Sequence, residues 1–303
     1  MRAFCLALFI TAATACTQIE ASKPTVDVDM RNVDLHVTPD IALHIRYLRG
    51  QFVTAGTRPA PFLDDPRSYN VTVDAGEVAV DLASLNAIMA RTLKEGHSNV
   101  RSLQISVDEQ GQLRQKGVVR KGIPLPFDVE ASVSATPDGF IRIHSESIKG
   151  FGVPVNPLLK VLRVGMDNLF TIDPGHGVRV TGNDLLLDPA NLLPPPGMRG
   201  KLTAVRVEKN ALVQIFGSGE APPAPASATA KNHIYWRGGQ LSFGKLTMTE
   251  TDLELVDDDP HDAFDFSVDR WQEQLVAGYS KTTTERGLKA HMPDYNDLHR
   301  RAR

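Results

Sequence analysis

From residue 26 onward apolar and polar residues mostly alternate, the period-two pattern of strands with one face against a core. Val26, Val28 and Met30 alternate with Asp27, Asp29 and Arg31, and Val33, Leu35 and Val37 then resume one step out of phase. That slip predicts a β-bulge between two strand halves. Ile41, Leu43 and Ile45 continue the alternation, the prolines of 57–68 predict a loop, and Val71/Val73 and Val78/Val80 resume it. Strands follow on either side of a turn in "DEQGQ". Phe127, Val129, Ala131 and Val133 turn at 136–139 and return as "FIRIHSESIK". Two more hairpins turn at Gly182-Asn183 and at Glu208-Lys209-Asn210.

Two stretches carry helical periodicity instead. Residues 81–96 place Leu82, Leu85, Ile88, Met89 and Leu93 on one face, with Asp81 to cap the start and Gly96 to end the helix. On its own this is an ordinary helix covering a sheet. The stretch "NPLLKVLRVGMDNLF" (156–170) is different. Asn156, Lys160, Arg163 and Asp167 share one narrow stripe, and the remaining arc of roughly 240° is apolar. A helix on a flat sheet uses little more than ~100° of apolar surface. Such a helix suits a deep core, the concave side of a curved sheet with apolar ligand between, or a membrane surface. The mixed charge of the stripe speaks against the last.

The Pro-, Ala- and Ser-rich stretch 217–231 predicts a linker or surface loop. Beyond it, 232–303 predicts further strands, a short helix near 269–280 and a polar tail from Lys281, either completing the first sheet or forming a small second domain. The sum is α+β, dominated by a meandering antiparallel sheet.

Composition narrows the reading. A net charge of −3 over 303 residues argues against a nucleic-acid partner. Residues 1–15 have the layout of a secretory signal peptide: Arg2, an apolar run, then small residues to Ala15. Residues 16–25 then form a tether, and the chain is expected to be exported. Cys16 becomes the lone thiol, either acylated as in a bacterial lipoprotein or free at a flexible end. Position 13 holds Ala where the lipoprotein signal has Leu. One acyl chain alone holds a membrane weakly.

The phrases "KGIPLPFDVEASV", "SIKGFGVPVNPLLKVL" and "VTGNDLLLDPANLLPPP", with "VDLASLNAIMARTL" before them, resemble a small bacterial phospholipid-binding family over about residues 26–216. That family has the tubular lipid-binding fold also seen in bactericidal/permeability-increasing protein. The resemblance implies a long, highly curved antiparallel sheet wrapping one or two amphipathic helices around acyl chains. It implies a lining of Leu82, Leu85, Ile88, Met89 and Leu93, together with Leu158, Leu159, Val161, Leu162, Met166, Leu169 and Phe170. The partner it implies is phospholipid or another acyl lipid, and the signal-like start adds a membrane surface, reached through Cys16 where that residue is acylated.

No nucleophile-elbow, zinc-protease, P-loop or dinucleotide motif occurs, so a non-enzymatic chain without cofactor is expected. The acidic run Asp257, Asp258, Asp259, His261, Asp262 and Asp265 has the residue types calcium takes but lacks the central Gly of a calcium loop, and reads as a solvated turn. His36, His44 and His144 fall on strand faces. "HIYWRGG" reads as packing at a barrel edge. The alternative to lipid binding is an envelope scaffold module that docks another protein through a sheet edge.

Overall fold

The computed structural model describes residues 25–150 and 177–301. The signal-like segment, Cys16 and the apolar stretch 156–170 lie outside the described residues. The chain is α+β, mostly antiparallel sheet with few helices, and its sheet curls into half a barrel.

Three long strands start the large sheet: β1 (Thr25–Thr38), β2 (Ile41–Thr54) and β3 (Tyr69–Asp81). The predicted slip in β1 falls at Asn32, whose φ of 49° breaks the alternation, so that Met30 and Val33 are both buried. The register between β1 and β2 passes from Arg31–Tyr47 to Val33–Ile45 without shifting, because Arg46 is skipped on β2 as Asn32 is on β1. The kink carries on into β3, whose register against β2 shifts between Ile45 and Tyr47 and again between Arg49 and Gly50. Kinks in adjacent strands bend a sheet together, as bulges do when they increase local twist.

The outer edge of β1 is divided at the same residue. Up to Arg31 it pairs antiparallel with β13 (His233–Arg237), and from Val33 it pairs parallel with β17 (Phe264–Ser267). The Asn32 side chain fills the changeover, donating to Asn232 Oδ1 at 2.8 Å and to the Asp262 carbonyl at 3.1 Å. β16 (Asp252–Asp257), β19 (Leu288–Met292) and β18 (Tyr279–Thr282) extend the sheet on that side. On the other side β12 (Ala211–Phe216) and β11 (Leu202–Glu208) follow β3, and β10 (Gly197–Gly200) lies parallel to the start of β3.

Of the strands after residue 232, β13, β16, β17, β18 and β19 join the same sheet as β1, while Gln240–Phe243 and Leu246–Thr249 pair only with each other. Two expectations are corrected here. The tail beyond Lys281 is not simply polar: Ala290 and Met292 of β19 are fully buried where it runs parallel to β16. "HIYWRGG" is no edge, since β13 sits between β1 and β16 with Trp236 2% exposed in the core. Both errors have one cause: a strand of four or five residues records its own face but not its neighbours.

Helix α1 (Leu82–Glu95) has its predicted caps. Asp81 accepts from the Ser84 N–H at 2.6 Å, and the Gly96 N–H reaches the Thr92 carbonyl at 2.8 Å. Behind α1 comes a six-stranded antiparallel sheet of β4 (Val100–Val107), β5 (Leu113–Lys121), β6 (Ile123–Ala135), β7 (Ile141–Gly150), β9 (Asp184–Leu187) and β8 (Val178–Thr181), in that order. Asn86 on α1 joins helix to sheet. Its Oδ1 accepts from the Ile105 N–H at 2.7 Å, and its Nδ2 donates to the Ile105 carbonyl at 2.9 Å. A free strand edge thus receives from one side chain the pair of bonds a further strand would give.

Candidate functional site

The inner face of the six-stranded sheet is built by alternation along β5. Leu113, Gln115, Gly117 and Val119 point inward, while Arg114 pairs with Asp128 at 2.6 Å on the outer side. Across the register stand Ile105 on β4 and Val129 on β6. Leu113 and Ile105 belong to the main core shared with α1 and β1–β3. Val119, Phe127 and Val129 form a second, separate cluster, against which Leu103 and Leu125 pack. Gly117 is required between them, because a Cβ there would stand 2.1 Å from the Ser102 carbonyl oxygen and 2.7 Å from the Phe127 ring.

The residues predicted to line a ligand site divide between these regions and the undescribed segment. Leu85, Ile88 and Met89 are buried in the main core, with Leu82 at its margin, and Leu93 is buried, at 8% exposure, outside that cluster. Leu158, Leu159, Val161, Leu162, Met166, Leu169 and Phe170, like Cys16, lie outside the described residues. Near Trp236, between the inner face of the large sheet and Trp271, an apolar pocket measures about 30 Å³. That is room for about one water, not for an alkyl chain.

A polar cleft of about 580 Å³ opens on the outer face of the large sheet. Its floor holds Asp34 and His36 of β1 and His44 and Arg46 of β2, the positions between the buried ones. Asp262, Asp265 and Asp294 close it from the C-terminal side. Each strand-face histidine found a carboxylate: His44 meets Asp34 at 2.6 Å, His36 meets Asp265, and on the six-stranded sheet His144 meets Asp184 at 2.5 Å. The His36 ring also tilts against Tyr295, with centroids 5.4 Å apart. The hydrogen bond to Asp265 raises the His36 pKa above its ordinary value, outweighing burial.

The acidic run is only partly a solvated turn. Asp257 and Asp265 are buried, at 5% and 7% exposure. Asn232 donates to Asp257 at 2.8 Å, and the Asn296 N–H donates to Asp265 at 3.1 Å. Backbone and amide donors drawn from distant parts of the chain make that burial tolerable. Among the described residues no group of three His, Cys, Asp or Glu is placed to hold a metal ion.

Asp294 makes this cleft pH-sensitive. Burial raises its carboxyl from 3.8 to about 7, and the charges of Asp257, Asp262 and Asp265 push the same way, against one N–H donated by Asp265. The folded state therefore holds a proton that the unfolded chain releases. Stability is full below about pH 4 and falls as pH rises through about 7, and His36 adds a loss of the same sign. Asp294→Asn keeps the Oδ1 acceptor and removes the charge. Its stability relative to the parent is expected to be unchanged near pH 4 and higher by about 1–2 kcal/mol at pH 8, discounted for solvent access. Urea denaturation at the two pH values measures this, and an equal effect at both would refute the assignment.

Two polar features were not singled out from the sequence. Gln115 reads there as one of several polar residues in "LRQKGVVRKG", and only its alternation with Leu113 hints that it points inward. Asp29 reads as an outward strand residue, yet it is 3% exposed. Arg31 binds it at 2.8 Å and Arg49 at 3.1 Å, and His233 lies 3.3 Å away. The two arginines also donate to the carbonyls of Pro222 and Pro223, so the 217–231 segment is strapped across the outer face. Compared with family models, with curated proteins and with solved structures, the chain matches none.

Proposed function

We propose that this chain is a non-enzymatic lipid-binding or lipid-transfer protein of the bacterial cell envelope, of the tubular lipid-binding type, exported and tethered through Cys16. The observation that carries the reading is the second apolar cluster. Val119, Phe127 and Val129 are buried on one face of one sheet as a cluster apart from the main core, with Leu103 and Leu125 of that same sheet packed against them. Alkyl chains suit such a surface, since each buried CH₂ contributes roughly 0.8 kcal/mol without precise polar chemistry. In this reading Leu85, Ile88 and Met89 serve the core, and the acyl chain lies farther along the six-stranded sheet. The curl of the large sheet supports it too.

The test is direct. The chain from Thr17, expressed into the periplasm and purified without detergent, is extracted for lipid mass spectrometry. About one acyl lipid per chain is expected. A stably folded, lipid-free protein would overturn the reading.

That second outcome favours the scaffold alternative, for which one observation speaks. β18 forms the outer margin of the large sheet, and each of its residues is exposed. An open strand edge is where another protein adds a strand.

A further inference from the structure

The second apolar cluster continues outward along β6. Val129, Phe127, Leu125 and Ile123 are alternate residues, opposite Gln115, Gly117, Val119 and Lys121 of β5, so they share one face. Their exposure climbs toward the start of the strand. Val129 is 1% exposed and Phe127 5%, Leu125 is half-buried, and Ile123 is 65% exposed. Only Gly122, at φ 79°, separates the two strands there, and a Cβ on it would meet nothing within 4 Å. The β5–β6 hairpin therefore ends in a free tip that carries a large apolar side chain.

Positive charge gathers at the same end. From Leu113 to Phe127 the chain carries Arg114, Lys116, Arg120 and Lys121 and no carboxylate. Asp128 takes Arg114 at 2.6 Å and Lys116 at 3.8 Å. Arg120 lies beyond them, next to the tip. Its N–H reaches the Asn99 carbonyl at 2.9 Å, which brings Arg101, skipped in the β4–β5 register, to the same end. Arg101 and Arg120 are both exposed, and neither guanidinium has a partner among the described residues. Val276 is exposed further, at 85%, but its helix Trp271–Ala277 holds Glu273 and no Lys or Arg. Pro124 and Pro126 bring no N–H, so the start of β6 has fewer donors to leave unpaired near hydrocarbon.

An exposed apolar side chain flanked by unpaired cations complements one kind of surface: acyl chains beneath a layer of anionic headgroups. Resting on the lipid reading above, we propose that the β5–β6 tip is where this chain meets an anionic membrane. Ile123 enters the headgroup boundary, and Arg101 and Arg120 meet lipid phosphates beside it. One apolar side chain and two cations give a reversible contact, which the loading and unloading of lipid require.

The chain from Thr17 keeps every described residue and contains no cysteine, since the two of the sequence are Cys5 and Cys16. Ile123→Cys and, as a control, Val276→Cys each then give a single exposed thiol for an environment-sensitive fluorophore. The labelled proteins are mixed with vesicles of phosphatidylcholine alone or of phosphatidylcholine with phosphatidylglycerol. The label at 123 is expected to shift to the blue and brighten on the anionic vesicles only, and the label at 276 to stay unchanged on both. Arg101→Gln and Arg120→Gln, each added to Ile123→Cys, are expected to weaken that binding roughly fivefold. Equal responses at 123 and 276, equal responses on the two kinds of vesicle, or a response that neither Arg variant weakens overturns the proposal. No response at 123 overturns it too and leaves the tip to a protein partner. The lipid count described above decides the lipid reading separately: a chain that carries acyl lipid but has a silent tip loses only the membrane contact. A tip that responds on a chain without lipid keeps the contact and overturns the lipid reading.

Discussion

Gln274→Met is expected to lower the stability of the fold by about 3–4 kcal/mol, although the new side chain has nearly the same length and volume. The glutamine sits on the short helix Trp271–Ala277 with no exposed surface. It supplies both halves of a missing backbone partner: an acceptor for the Ser267 N–H and a donor for the Asp265 carbonyl, with a second donor bond to the Pro293 carbonyl. β17 pairs with β1 on one side only along its short length, and Gln274 satisfies its other edge. Methionine would leave three backbone groups buried without partners, at about 1–3 kcal/mol each before relaxation. Urea unfolding of the two proteins at one pH gives the difference directly. A loss below about 1 kcal/mol would mean that water replaces the amide and that β17 is less enclosed than the structure makes it.

Asp29→Ala is expected to be as damaging, by about 3–5 kcal/mol, and to release a loop as well. Burial disfavours the Asp29 charge, but hydrogen bonds from His233, Arg31 and Arg49 prevail and hold its carboxyl below the ordinary value of 3.8. Its contribution is therefore present above about pH 4 and is lost as pH falls through the lower folded value. Removing the carboxylate leaves Arg31 half-buried without its closest anion. The same two guanidinium groups hold Pro222 and Pro223, so the strap should loosen. Tyr235 gives it a second hold, accepting from Ser227 at 2.8 Å. Limited proteolysis should then cut the variant within 217–231 faster than the parent, while sites in the long hairpins stay protected. Destabilisation with unchanged cleavage in 217–231 would leave Asp29 a core residue and would remove its role as an anchor of the strap.

The two carboxylates carry opposite pH signatures. Asp294 costs stability as pH rises from about 4 through about 7, whereas Asp29 does so as pH falls below about 4. The difference is one of donors. Asp29 faces two guanidinium groups and an imidazole, while Asp294 has one N–H and a surround of further carboxylates.

What the sequence determined by itself was local. The spacing of Leu82, Leu85, Ile88, Met89 and Leu93 specifies α1 and its buried stripe, and Asp81 and Gly96 mark its ends, because helix period and cap chemistry are satisfied within a few residues. The hairpin turning at 136–139 and the slip at Asn32 were legible for the same reason. Tertiary structure alone decided the rest. Nothing in Phe264–Ser267 or Leu288–Met292 announces a parallel partner more than thirty residues away, since a short strand encodes which face is apolar and not which edge it meets. Burial of polar groups was equally hidden. Asp29 and Gln115 occupy ordinary positions in alternating strands, and what encloses them comes from elsewhere in the chain. Gln274 and Gln115 are the same residue type, both buried. One meets donors and acceptors assembled from three segments, and the other keeps an amide N–H without an acceptor. That distinction exists only once the sheets have folded over one another.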